Sequence, residues 1–184
     1  MRRLLAAIAL SLVPACATGL ASRPGSLYSD RSASLEGVYV GAAGGPILSI
    51  IPGESNLGYT AEGKLGYSFG PPLAVYLSGG FDSANANVGG RYRVGQVAAF
   101  LQHHLVVQRG VNVFARGGIG VGFSKDFTVD HSMAAGLAEA GGLGMEIAMS
   151  PGLYLVPELF YRNANLNGAV NVQSIGLQLG IAYY

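Results

Sequence analysis

The sequence predicts an all-β chain, an eight-stranded antiparallel up-and-down transmembrane β-barrel, and three observations carry that prediction. Half of the 184 residues are hydrophobic and 29 are glycine, yet only 11% are charged, against about a quarter in a soluble globular domain. No apolar run reaches the roughly 18 residues of a spanning helix. From residue 57 onward, apolar positions alternate with small or polar ones at period two, the pattern of strands whose two faces meet different surroundings. Glycine without a three-residue period excludes collagen, and the supply of Val, Ile, Leu, Phe and Tyr excludes disorder. The length allows one domain.

Residues 1–21 read as a secretory signal. Arg2 and Arg3 supply its positive start and Leu4 to Val13 its apolar stretch. Cleavage is expected at the small residues Ala15-Cys16-Ala17 or Gly19-Leu20-Ala21. A second reading stays open, because Val13-Pro14-Ala15-Cys16 is similar to a lipobox, which would make Cys16 a lipidated residue. Residues 22–35 then form a short linker and 36–184 the barrel domain. Cys16 is the only cysteine, so the mature barrel is expected to hold no disulfide and no thiolate chemistry. Losing Arg2 and Arg3 leaves 9 Lys+Arg against 10 Asp+Glu, which offers nucleic acid no basic face.

The strands follow in order. The first, near 37–44, is expected to turn Val38, Val40 and Ala42 outward. In the second, Tyr59, Ala61, Gly63, Leu65, Tyr67 and Phe69 alternate with Thr60, Glu62, Lys64, Gly66 and Ser68. In the third, Leu73, Val75, Leu77, Gly79 and Phe81 oppose Ala74, Tyr76, Ser78 and Gly80. The fourth, Gly95 to Val107, is apolar at its odd positions except for His103. The fifth, Val111 to Phe123, is the clearest, nonpolar at every odd position. The sixth places Gly141, Leu143, Met145, Ile147 and Met149 on one face, the seventh Leu153, Leu155, Pro157, Leu159 and Tyr161. The eighth places Ile175, Leu177, Leu179, Ile181 and Tyr183 there.

Gly70-Pro71-Pro72, Gln108-Arg109-Gly110 and Ser150-Pro151-Gly152 read as tight turns. Between them, longer polar loops are expected near 45–57, 82–93, 124–136 and 163–170. Short turns at one end and long loops at the other match the periplasmic and extracellular ends of a membrane barrel.

Charges sort the two faces. Glu62, Lys64, Arg116, Glu146, Glu158 and Arg162 all fall on the even side, and no charged residue occupies the odd side of these strand cores. A soluble barrel would show the reverse. In a membrane barrel a Lys or Arg on the lipid face costs roughly 2–4 kcal/mol at the midplane. The even face is therefore the lumen, where three acids and three bases are expected to pair in a network that fills it.

Several segments resemble the OmpA- and OmpX-type eight-stranded outer-membrane barrels and the wider "outer membrane protein β-barrel domain" family. They are Gly37-Val-Tyr-Val-Gly-Ala, Gly63-Lys-Leu-Gly-Tyr-Ser-Phe, Ala115-Arg-Gly-Gly-Ile-Gly-Val-Gly-Phe, Gly144-Met-Glu-Ile-Ala-Met-Ser-Pro-Gly-Leu and Pro157-Glu-Leu-Phe-Tyr-Arg. The closing Gln178-Leu-Gly-Ile-Ala-Tyr-Tyr resembles the C-terminal signal that the barrel-assembly machinery reads, with Gln178, Gly180, Tyr183 and Tyr184 at its key places. The resemblance implies an exported, monomeric protein in the Gram-negative outer membrane. Its partners would be outer-membrane lipids, the assembly machinery and a ligand of its loops, with no cofactor. The OmpA-type peptidoglycan-binding domain is not expected after it, and with no Trp, tyrosine must supply most of the interfacial aromatics.

The family also includes enzymes and pores. A lipid A deacylase-like barrel resembles this fold and uses a His with a nearby Ser at the outer rim. Here Asp130-His131-Ser132 has the right residue types, but neighbours on an extended chain point in alternating directions and form no relay. For the same reason His103 and His104 cannot chelate one metal ion, and His104 is expected in the lumen. Gly117-Gly118-Ile119-Gly120 opens no helix, so it is no dinucleotide site. The expected role is structural, or surface interaction through the loops, and not catalysis. The alternatives are a lipid A-modifying enzyme, a small pore or a soluble lipocalin-like binder.

Overall fold

Alternating sequence becomes a sheet that closes on itself. A computed structural model describes residues 35–70, 72–86, 90–108, 110–127, 132–167 and 170–184. The leader and most of the linker, with Cys16, lie outside the described residues. Among those described, eight strands run antiparallel, each hydrogen-bonded to the next in chain order. They are β1 (Glu36–Ile51), β2 (Glu54–Phe69), β3 (Leu73–Asn85), β4 (Arg91–Gln108), β5 (Val111–Ser124), β6 (Ala134–Ser150), β7 (Leu153–Leu166) and β8 (Val170–Tyr183). The closing seam pairs β1 with β8, from Val40 opposite Tyr183 to Ile50 opposite Gln173. Strands of 13 to 18 residues outrun the 9–11 that cross a bilayer.

Odd positions face outward on β2, β3, β5, β7 and β8, so that Leu57, Leu65, Leu77, Ile119 and Leu177 are each more than 60% exposed. On β1 the outward set is Val38, Val40, Leu48 and Ile50. A row of exposed aliphatic side chains around a polar interior is the inverse of a water-soluble barrel, and it is the surface a transmembrane barrel presents to lipid. Glu139 of β6, beyond the strand core read from the sequence, is an exposed carboxylate on this outer face, opposite Ile119 and Asn163.

Three expectations are corrected. The loops near 45–57, 82–93, 124–136 and 163–170 are much shorter. β1 and β2 run up to a tight Pro52-Gly53 turn, with Pro followed by Gly at φ +90°. Several polar residues that read as loop are lumen-facing strand residues, such as Ser49 and Asn56, both buried, while Arg91 and Arg93 are strand residues of the outer face. Consequently the difference in length between the two ends is carried mainly by the β5–β6 connection. The alternation in β4 also breaks, because the register with β5 shifts between His104 and Val106. Leu105 and Val106 both face outward, while Val107 pairs with the inward Asn112. Finally, Leu35 just ahead of β1 is buried among the barrel's inner aromatic residues rather than trailing as linker.

Inward glycines permit the close approach of neighbouring strands. A Cβ on Gly120 would overlap the Val97 carbonyl and the Ala98 backbone, whereas one on the outward Gly117 would meet open space. Gly120→Ala is therefore expected to destabilise the barrel by about 1–3 kcal/mol, as overpacking does, with Gly117→Ala close to neutral. Urea unfolding of the two variants, followed by the folded band on unheated gels, checks the contrast.

Candidate functional site: the barrel lumen

The inward side chains stack in three layers. At the end that carries Glu36 and Tyr183, an apolar plug contains Tyr39, Tyr76, Phe100, Phe114, Tyr154 and Val156. Tyr76 stacks on Phe100 with ring centres 5.4 Å apart, and Tyr39 packs on Tyr76 at 5.1 Å. At the opposite end, Tyr92, Val94, Leu166 and Val172 form a second apolar cluster, with Phe127 against Tyr92. Charges fill the middle.

Glu62 of β2 is the hub. Both of its carboxylate oxygens receive the fork of Arg116, with Nη1 at 2.7 Å and Nη2 at 3.0 Å. They also accept from Arg162 Nη2 at 2.7 Å, Ser78 Oγ at 2.6 Å and Gln178 Nε2 at 3.1 Å. Arg116 reaches on through Nε to Glu158, which also pairs with Lys64 Nζ at 3.2 Å and accepts from Gln178 Nε2 at 2.9 Å. Arg162 turns its other nitrogen, Nη1, to Asp82 and to Thr60, both at 2.7 Å. The guanidiniums of Arg116 and Arg162 also lie over the rings of Phe100 and Phe160, at 4.6 and 4.5 Å. Planar forks suit this task, since each guanidinium serves two carboxylates at once.

The structure gathers five of the six charges read from the sequence, Glu62, Lys64, Arg116, Glu158 and Arg162, into one network. It does not bring Glu146 there. Asp82, which the sequence reading left in a loop, takes its place and keeps the balance at three acids to three bases. The signal was available, because Asp82 continues the even face of β3 two residues past Gly80.

Glu146 instead anchors a separate cluster nearer the plug. It accepts from Gln102 at 2.8 Å, His104 Nε2 at 2.9 Å and Asn112 at 3.3 Å. The hydroxyl of Tyr184 donates to it as well. Tyr184 comes from just beyond β8, packs on Tyr39 and Tyr154, and is held by its N–H to Gly152 O at 3.0 Å. The other residues of the C-terminal motif divide between the faces. Gln178 bridges Glu62 and Glu158 inside, and Tyr183 is exposed outside. A Cβ on Gly180 would lie 2.6 Å from Ala42 O across the closing seam.

Of the residues weighed for catalysis, Asp130 and His131 lie outside the described residues. His103 is exposed on the outer face, while His104 is fully inside. The pocket beside Arg162 and Asp82, under Val94 and Val172, has a volume of about 10 Å³, which is room for a single water.

No family model matches the chain, and no curated protein matches it. Solved structures do. Neisserial surface protein A (NspA) is similar over 79% of this chain and 96% of its own, at 16% identity and a TM-score of 0.66. The outer membrane enzyme PagL is similar over 77% of this chain and 97% of its own, at 17% identity and a TM-score of 0.52. At such identities the likeness is one of fold, and the fold is that of the eight-stranded outer-membrane β-barrels.

Removing one member of a buried ion network leaves its partners unpaired, at a cost of about 3–5 kcal/mol. Arg116→Met should reach that range, since it strips Glu62 and Glu158 together. Lys64→Met should cost less, because Glu158 keeps Arg116 and Gln178. Urea midpoints of the two variants test the order, and a Lys64 variant as unstable as the Arg116 one would refute it.

Proposed function

We propose that this chain is an outer-membrane β-barrel protein of a Gram-negative envelope, structural or interactive at the cell surface, with a closed lumen. The observation that carries the reading is the filling of the lumen, with apolar plugs at both ends of a charge-balanced network. An ion path needs continuous water, and the small cavity beside Arg162 holds about one molecule. The apolar outer belt supports a site among membrane lipids and speaks against a lipocalin-like binder, which would turn that face inward. Export rests on residues 1–21, and reading by the barrel-assembly machinery on the Gln178–Tyr184 motif. The protein acts as a monomer without cofactor. The hydrolytic alternative would need a His and a nucleophile converging at the rim, and the likeness to an outer membrane enzyme keeps an assay of lipid A acylation worthwhile.

Two measurements test this reading. The protein should fractionate with the outer membrane and migrate differently on gels before and after boiling, as SDS-resistant barrels do. Recovery in the soluble fraction without that shift would overturn it. In planar bilayers the wild type should show no steady conductance steps. Regular ohmic steps, altered in Glu158→Ala, would make the protein a pore.

A further inference from the structure

We propose that the outer face of the β3–β4 hairpin, at the end opposite the barrel's termini, is a binding site for the phosphate headgroup of a membrane lipid. The inference rests on the reading of this chain as a membrane barrel.

Arg91 and Arg93 carry it. They alternate on the outward side of β4, both exposed, about 6.6 Å apart along the strand. Elsewhere the outer face of the strands is mainly aliphatic and aromatic, with Glu139 and His103 among the exceptions, so two neighbouring guanidiniums on one strand need a reason. Among the described residues neither forms an ion pair: the salt bridges all belong to the lumen. Arg91 is oriented by Asn85 Oδ1, 3.4 Å from its Nε, and lies 5.6 Å over the ring of Tyr59. Asp126 fixes the strand backbone here, accepting the N–H of Arg93 at 2.7 Å, and Ser124 Oγ donates to the carbonyl of Arg93 at 2.6 Å. The arginines are thus presented on a held backbone.

A second observation points to a ligand. Ser83 is paired with both Arg93 and Tyr59, and it is 99% covered at this spot. Its hydroxyl has no hydrogen-bond partner among the described residues. An unpartnered hydroxyl therefore lies beneath the two arginines, of which Arg91 spends only its Nε, on Asn85.

What adjoins the cationic patch identifies the class of ligand. Tyr59 and Phe81 meet edge to face, ring centres 6.0 Å apart. The ring of Phe123 lies across Gly95, two residues along β4 from Arg93, where any Cβ would collide with it. Next to the arginines there is an aromatic shelf, and past it begins the aliphatic belt of Val97 and Leu77. Guanidinium forks recognise phosphate oxygens, aromatic rings settle at the headgroup level, and the belt takes acyl chains. A soluble anion would use only the first of these. The whole surface fits an amphiphile whose phosphate sits at the edge of the membrane.

The test uses full-length protein folded in detergent micelles, titrated separately with dioleoyl phosphatidic acid and dioleoylglycerol. Retained lipid is counted by native mass spectrometry on preparations with the heat-dependent gel shift. The wild type should hold phosphatidic acid at least about tenfold more tightly than Arg91→Gln/Arg93→Gln, the order for losing charge-assisted contacts. Arg91→Lys/Arg93→Lys should recover part of the difference. Dioleoylglycerol should bind both proteins equally weakly, and excess inorganic phosphate should leave phosphatidic acid in place. Equal retention of phosphatidic acid by the wild type and the glutamine variant would overturn the proposal. So would displacement by inorganic phosphate, which would mark a site for the free anion. A preparation with no gel shift would instead sink the membrane-barrel reading beneath it.

Discussion

A sheet that faces hydrocarbon has no water to satisfy its edges, and everything else in this molecule follows from that constraint. Each unpaired N–H or C=O in lipid costs several kcal/mol, so the first strand must find the last. The β1–β8 seam meets the demand, and it does so at close range, where Gly180 lets the strand approach Ala42. Closing eight strands leaves an interior just wide enough for side chains. That interior has to be polar if the outside is to be apolar, because strand residues alternate.

The polar interior then raises its own problem, since charges withdrawn from water must be answered at short range. The solution is a division of labour between residue types. Arginines span carboxylates, Gln178 ties Glu62 to Glu158, and small residues clear the room for these long chains. Apolar clusters above and below screen the network from bulk water, which strengthens the bonds within it and makes the loss of any one member more costly. The same closure that satisfies the sheet thus removes the free passage that a wider barrel would offer.

The surface repeats this logic in reverse. There a charge is least costly where the hydrocarbon ends, and Arg91 and Arg93 stand at the end of β4. The aromatic residues Tyr59, Phe81 and Phe123 lie between them and the aliphatic belt, which is the order in which a membrane changes from apolar to polar.

Much of this was legible in the sequence, for a physical reason. Period-two alternation is a property of the extended chain itself, so the eight strands, their outward faces and the lumen residues Glu62, Lys64, Arg116, Glu158 and Arg162 could be read without a fold. Strand ends could not. In a barrel with a polar lumen, a run such as Glu54-Ser-Asn looks like a loop although it opens β2, because polarity at a position such as Asn56 marks the inside rather than the surface. Pairing was hidden as well. Whether Asp82 or Glu146 faces Arg162 depends on the stagger of each strand against the next, which no single strand encodes. The sequence by itself determined which residues face inward, through local alternation. Only the tertiary structure decided which of them meet, because that is set by how closure staggers one strand against the next.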